Sequence, residues 1–478
     1  MSYLWLLLLI PVLLVAEVLV RTVRFKPGPT PQIPEGEEIF DRDKAVENLR
    51  TLIRFKTVSN TDPQLEDDAE FQKLIDKLPE LYPHVFETCK FERMPDRGLL
   101  FTWEGKQHSE PSVLMAHYDV VPVDEAGWSK PPFEAILEDG VVWGRGALDT
   151  KVTFNGVLCA ADHLIAAGFT PAQDIYFAFS GQEEINGRGA VNIVDWFREH
   201  HINIQLVVDE GGAVVQDVFP GVRQPCALIG IAEKGMLNLE YSVTSAGGHA
   251  SAPRPHTPVG VLSAACCRVE NHPFPMHITA PAAKMFDTLG RHSTFLYRMI
   301  FANLWLFGGV LDSLCKKTGG ELNALMRTTV AFTKMQGSAA SNVIPPSASM
   351  VSNIRLNPAD TMESAIEYLR QTIGNGEITL TNLEGMDPSP ISETDCPAWD
   401  KVASAVAGTW PGSLVSPYLM VQCSDSRHYG PVSNHVYRFS AMDLTAEERG
   451  AIHGNNERIR TEVIGRAVEF YIRLMRQC

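Results

Sequence analysis

A chain of 478 residues exceeds one ordinary hydrophobic core, so two domains or one domain with a large insertion is expected. Its 45% hydrophobic and 21% charged residues are globular values, and a net charge of −16 without any Lys/Arg cluster argues against nucleic acid as a partner. Nine cysteines, with Cys266 and Cys267 adjacent and no Cys-x-x-Cys pair, suit neither a disulfide framework nor a thiolate zinc site.

The first predicted element is hydrocarbon. "LWLLLLIPVLLVAEVLV", Leu4 to Val20, is broken only by Pro11 and Glu17, and at about 17 residues it is just long enough to span a bilayer. A secretory signal would carry a basic leading region and a small-x-small cleavage site, and neither is found. Residues 1–25 are therefore expected to form an uncleaved single-pass membrane anchor, a secreted or lumenal protein being the alternative. Arg21, Arg24 and Lys26 follow the run, which by the positive-inside tendency keeps the main domain cytoplasmic. Residues 26–38, "KPGPTPQIPEGEE", have linker composition.

From 39 to 235, apolar runs such as "SVLMAHYD", "DIYFAFSG" and "IQLVVDEGG" alternate with helical patterns such as "TFNGVLCAADHLIAAG". Short strands separated by amphipathic helices predict an α/β domain with a largely parallel sheet. Acidic or His-bearing points recur at the ends of these apolar runs: His117 with Asp119, Asp149, Glu183-Glu184 and Asp209-Glu210. The carboxyl ends of parallel strands line one crevice, so these groups are expected to converge. So many carboxylates in a poorly solvated crevice repel one another unless a cation neutralises them, and imidazole with carboxylates but no thiolate suits zinc or a similar divalent metal. Residues i and i+2 of a strand face the same way, so Asp119 can take the second ring proton of His117 and turn the other nitrogen to the metal. Adjacent glutamates diverge, which predicts that one of Glu183 and Glu184 ligates while the other activates water. The "GRG" before Asp149 lacks the later glycine of a phosphate loop and is not read as one.

The alternation stops near Lys234. Residues 236–357 read as an inserted α+β domain, with strands in "GMLNLEYSVTSAGGHASAP", "TTVAFTKMQ" and "SASMVSNIRLNP" around a helical stretch, and residues 358–478 return to the first domain. Within the insert, "LYRMIFANLWLFGGVLDSL" has nearly the composition of a membrane span, but Arg298 and Asn303 interrupt it, so a buried or lid-forming helix is expected.

Seven stretches, in this order, carry a resemblance: "MAHYDVVPV", "WGRGALDTK", "SGQEEINGRGA", "VVDEGG", "GGHASAP", "SNVIPPSA" and "IHGNNE". Together they resemble the co-catalytic di-zinc exopeptidases and deacylases that include carboxypeptidase S, aminoacylase and glutamate carboxypeptidase, from about residue 45 to the carboxyl terminus. The carboxypeptidase S-like branch, with its N-fatty-acyl amino acid hydrolases, is the one resembled most. The resemblance implies an α/β zinc-exopeptidase domain with a lid or dimerisation insert, through which two copies pair as a homodimer. It implies two zinc ions bridged by Asp149. His117 and an acid from "VVDEGG", either Asp209 or Glu210 with Asp209 preferred, complete one site, and Glu184 with His453 completes the other. Glu183 resembles the general base, His249 the histidine that polarises the scissile carbonyl, and Asn342 and Arg427 substrate-binding residues. Arg427 would hold a free carboxylate by bidentate hydrogen bonds.

The expected activity is hydrolysis of the amide bond beside a terminal amino acid, in peptides or N-acyl amino acids. An N-fatty-acyl amino acid hydrolase or synthase is the alternative within enzymes. A catalytically silent, membrane-tethered binding protein is the third possibility, disfavoured because base, ligands and His249 are all present.

Overall fold

The fold is described from a computed structural model covering residues 4–28, 36 and 38–478, so most of the expected linker lies outside the described residues. The main sheet has eight strands: β1 (Lys90–Met94), β2 (Gly98–Trp103), β3 (Gln107–His117), β4 (Gln173–Ser180), β5 (Leu206–Val215), β6 (Cys226–Glu233), β11 (Leu414–Met420) and β12 (Val436–Leu444). They lie in the order β1-β2-β4-β3-β5-β12-β6-β11. The central pairs β4–β3, β3–β5 and β5–β12 are parallel, while β1 and β2 extend one edge as an antiparallel hairpin. Helices cover the sheet, which explains why Ser112–His117 and nearly all of β4 are buried and read as unbroken apolar runs. Helices α2 (Lys151–Ala166) and α5 (Thr461–Met475) pack on each other within the larger core.

A second sheet has the order β8-β9-β7-β10, from β7 (Gly235–Thr244), β8 (Thr329–Gln336), β9 (Ser347–Leu356) and β10 (Thr379–Met386). Leu237, Leu239, Tyr241 and Val243 on β7 alternate inward, the period-two pattern of a sheet with one covered face. This unit runs past the expected limit of 357: Ala365, Leu369 and Ile373 share its core, and β10 pairs with β7 from Met386 to Thr379. Nothing local in "ITLTNLEGM" says which sheet it joins, since a strand's partner is fixed by packing.

Lys234 lies where β6 gives way to β7. It is 1% exposed, and its Nζ donates to the carbonyls of Ala324 and Arg327, each at 2.8 Å. Burial pushes its pKa down to about 7, and a neutral amine has two N–H groups for these two acceptors. An unfolded lysine titrates near ~10.4. Between about pH 7 and 10 the unfolded chain therefore holds a proton that the native chain lacks, and stability rises with pH across that window. Melting temperatures taken from pH 7 to 9.5 should climb less for Lys234→Met than for the wild type; equal slopes would show that Lys234 is charged when folded.

Helix α1 (Leu4–Arg24) contains the apolar amino-terminal run, with side chains described from Leu9 onward. Among the described residues no single helix is long and apolar enough to cross a membrane; α3 (Phe295–Ala302) and α4 (Leu304–Thr318) meet those limits only together, and they bend by 107°. The segment expected to be one buried or lid-forming helix is two surface helices broken at Asn303, so burial is not found, and Tyr297, Trp305 and Val310 are among their exposed side chains.

Candidate metal centre

Strands β3 and β4 run in register with His117 opposite Ser180, so the chain leaves the sheet twice at one level. Beyond β3, Asp119 is fully buried; beyond β4, a tight turn over Glu183–Ile185 presents the two glutamates. The Asp119 carboxylate accepts from the amides of Glu183 and Glu184, both at 3.2 Å, and from the Ser59 hydroxyl. His117 Nδ1 lies 3.0 Å from the backbone carbonyl of Asp119 and 3.4 Å from its carboxylate. His117 Nδ1 thus faces Asp119 as expected, nearest its carbonyl and within reach of its carboxylate, and the same carboxylate also fixes the glutamate turn.

Four further side chains close around Asp149, in the loop ahead of α2. Asp149 Oδ1 is 3.0 Å from His117 Nε2, and Oδ2 is 2.9 Å from His453 Nε2. His117 Nε2 is also 3.3 Å from Glu210 Oε1, and His453 Nε2 is 3.1 Å from Glu184 Oε2. Tetrahedral zinc, with bonds of ~2.0–2.1 Å, places neighbouring ligand atoms roughly 3.3 Å apart, so these spacings suit such ions. His117, Asp149 and Glu184 form one group able to hold a cation, and His117, Glu183 and Glu210 form another. Glu184 Oε1 is buried without a hydrogen-bond partner, the state of a donor atom intended for a metal.

Glu210, and not the preferred Asp209, reaches His117. Neighbouring residues on β5 face opposite sides, and Asp209 turns to accept from the Ser426 amide at 2.9 Å. The glycines that follow are sterically required in part, since a Cβ on Gly212 would sit 1.9 Å from the Leu228 carbonyl oxygen.

Electrostatics mark the cluster as short of positive charge. Burial raises the Glu210 pKa to about 8 and pushes Glu184 upward. Burial, aided by the charges of Glu210 and Asp425, holds Glu183 well above the usual carboxylate range although His117 opposes it. Hydrogen bonds to Asp149 and Glu184 raise His453 to about 10. Burial opposes the charge on His117, yet Glu210 and the bonds to Asp119 and Asp149 prevail and raise it; Asp149 is lowered against its burial by both histidines. A divalent cation would resolve this competition for protons.

Sequence reasoning missed the clamp beneath the cluster, although both its members lie in quoted motifs. Glu457 is fully buried and accepts from Arg145 Nη1 (2.6 Å) and from the amides of Gly146, Leu148 and Asp149. Arg145 Nη2 in turn donates to the carbonyls of His453 and Gly454. One ion pair thus ties the Asp149 loop to the His453 loop. A buried charge unpaired is costly, so an Arg in "WGRGALDTK" and a Glu in "IHGNNE" were the available signal.

Arg427 Nη2 donates to Asn186 Oδ1 at 2.8 Å, on the turn that carries Glu183 and Glu184. Asp425 beside it is buried, its Oδ2 has no partner, and burial raises its pKa to about 7. His249 and Asn342 are brought together on the insert: His249 pairs with Val343, and the Asn342 carbonyl accepts from Ala250. Both are exposed, and His249 Nδ1 engages the Ser251 amide (3.1 Å) and hydroxyl (2.8 Å). Among the described residues His249 is in neither of the two groups able to hold a cation.

The profile of peptidase family M20/M25/M40 matches residues 113–477. The chain is 35% identical to an N-fatty-acyl-amino acid synthase/hydrolase PM20D1 of Xenopus tropicalis, covering 97% of this chain and 92% of the relative. It is 32% identical to a probable carboxypeptidase S-like 2 of Dictyostelium discoideum, covering 98% and 92%. In structure it is similar to an M20 family metallo-carboxypeptidase of Sulfolobus solfataricus, with a TM-score of 0.64, 18% identity and coverage of 90% and 98%. It is also similar to a dinuclear metal-binding M20 peptidase of Bacillus subtilis, with a TM-score of 0.55, 12% identity and coverage of 91% and 97%.

Proposed function

The chain belongs to peptidase family M20/M25/M40, and from that premise we propose that it hydrolyses the amide bond between an acyl or peptidyl group and a terminal amino acid with a free α-carboxylate. The observation that carries this reading is Asp149, whose two oxygens are divided between His117 and His453 while Glu183 stands beside the same cluster. Two zinc ions are part of the proposal: His117, Asp149 and Glu210 would hold one, and Asp149, Glu184 and His453 the other. When bound, such ions make a water acidic near neutral pH and polarise the substrate carbonyl.

The chain's own residues do the rest. Glu183, its pKa raised by burial, takes the proton of the attacking water and later delivers it to the leaving nitrogen. Asp119 holds the Glu183 amide, so the base keeps its direction. His249 donates to the carbonyl oxygen once the insert closes or a second copy supplies it. The exposure of His249 is what supports pairing of copies through the insert.

Arg427 receives the substrate carboxylate, supported by its place beside the Glu183 turn. A guanidinium drawn partly from water and left without its anion is costly, so N-acyl amino acids should turn over while their carboxamides are rejected by roughly 100-fold or more. Arg427→Ala should erase the difference mainly by slowing the acids. Equal rates on acid and amide with the wild-type enzyme would make the protein a general amidase.

A long acyl group on the substrate is the alternative supported by similarity to the Xenopus tropicalis relative; rates on a series of acyl lengths set against dipeptides separate the two. An amino-terminal anchor belongs to the same reading, supported by the exposed apolar side chains of α1.

A further inference from the structure

Helix α1 leaves the body of the protein with its sides uncovered. Every residue from Leu9 to Glu17 is exposed, and Val12, Leu13, Leu14 and Val15, four consecutive positions that circle the helix, are all apolar. A helix apolar on all sides needs an apolar surrounding, and a second copy seated on one side could not enclose it. At its other end α1 is fastened to the break between α3 and α4. Val18 and Thr22, one turn apart, are buried there. Asn303, 0% exposed, donates through Nδ2 toward the Val18 carbonyl and the Thr22 hydroxyl, each at 3.3 Å, and Arg21 Nε donates to the Ala302 carbonyl at 3.3 Å.

Beside this joint, α3 and α4 turn a second apolar face outward, with Phe295 and Tyr297 on α3 and Trp305, Leu306, Val310 and Leu314 on α4. On α4, Leu306, Val310 and Leu314 recur every fourth residue, while Gly308, Leu311 and Cys315 form the side against the protein. Tyrosine and tryptophan are the aromatics that settle at a membrane–water boundary. The exposed cations Arg21 and Arg24 end α1, and Lys316 and Lys317 end α4, as suits lipid phosphates.

We propose that α3 and α4 form a platform lying in the headgroup–acyl boundary of the bilayer that receives α1. Their 107° bend lets the pair lie in the surface without crossing it. α1 and the platform then hold the catalytic domain at two points, which fixes its pose against the bilayer surface. This inference rests on the anchor reading above, and the experiment separates the two.

The full chain is reconstituted into vesicles of phosphatidylcholine and phosphatidylserine carrying a phospholipid with a diazirine in its acyl chain, then illuminated, and labelled peptides are mapped by mass spectrometry. Label is expected on residues 304–318 as well as on α1. Val310→Glu combined with Leu314→Glu should strip it from α4, leaving the α1 label and the hydrolysis of a soluble N-acetyl amino acid at wild-type levels. Should that variant fail to fold, the wild-type pattern alone decides. Label on α1 only overturns the platform and leaves the anchor. Label on neither overturns both, and copy-to-copy cross-links through α4 without lipid label overturn the platform in favour of a dimer face.

Discussion

Glu183→Gln is expected to retain the full metal complement and lose activity by about 10²–10⁴-fold, the range for removal of a general base. The change keeps the side chain's length and leaves the amide that donates to Asp119 untouched, so the turn should hold its shape. What disappears is the basic oxygen, in a position where burial keeps the carboxyl's pKa well above its usual range and hence nearer the working pH. Glu184→Gln should behave differently: its carboxylate faces His453 at 3.1 Å and carries an unpartnered buried oxygen, so metal content should fall along with activity. Metal analysis run beside kcat separates the two roles. A Glu183→Gln enzyme with wild-type turnover would end the assignment of the base.

Asp149→Asn should be the more damaging change to the site itself, releasing both ions. Each carboxylate oxygen faces a different histidine, at 3.0 Å and 2.9 Å, and an amide can offer only one anion-like oxygen while its nitrogen repels a cation. The loss in metal affinity should exceed the roughly 10- to 100-fold that follows removal of a ligand's outer partner. Equilibrium dialysis with zinc, read as ions bound per chain, gives the stoichiometry directly. Retention of one tightly bound ion by Asp149→Asn would show that Asp149 does not bridge.

The sequence by itself determined the α/β class and the placing of His117, Asp149, the Glu183-Glu184 pair and the Asp209-Glu210 pair at the ends of apolar runs, while His453 was reached only through the family resemblance. These are matters of local period and residue type: apolar runs of strand length that close on acids or a histidine. Only the tertiary structure decided which side of β5 faces the cluster, because Asp209 is drawn away by the amide of Ser426, more than 200 residues later. It gave the Asp119 carboxylate to the glutamate turn, and it tied Arg145 to Glu457 across 312 positions. It likewise sent β10 to the smaller sheet and left α3 and α4 with an outward apolar face where a buried or lid-forming helix was expected. The physical reason is common to all of these. A residue's neighbours along the chain set its backbone and its period, but the partner of a buried hydrogen bond, a sheet edge or an apolar face is supplied by packing between segments whose separation no local pattern encodes.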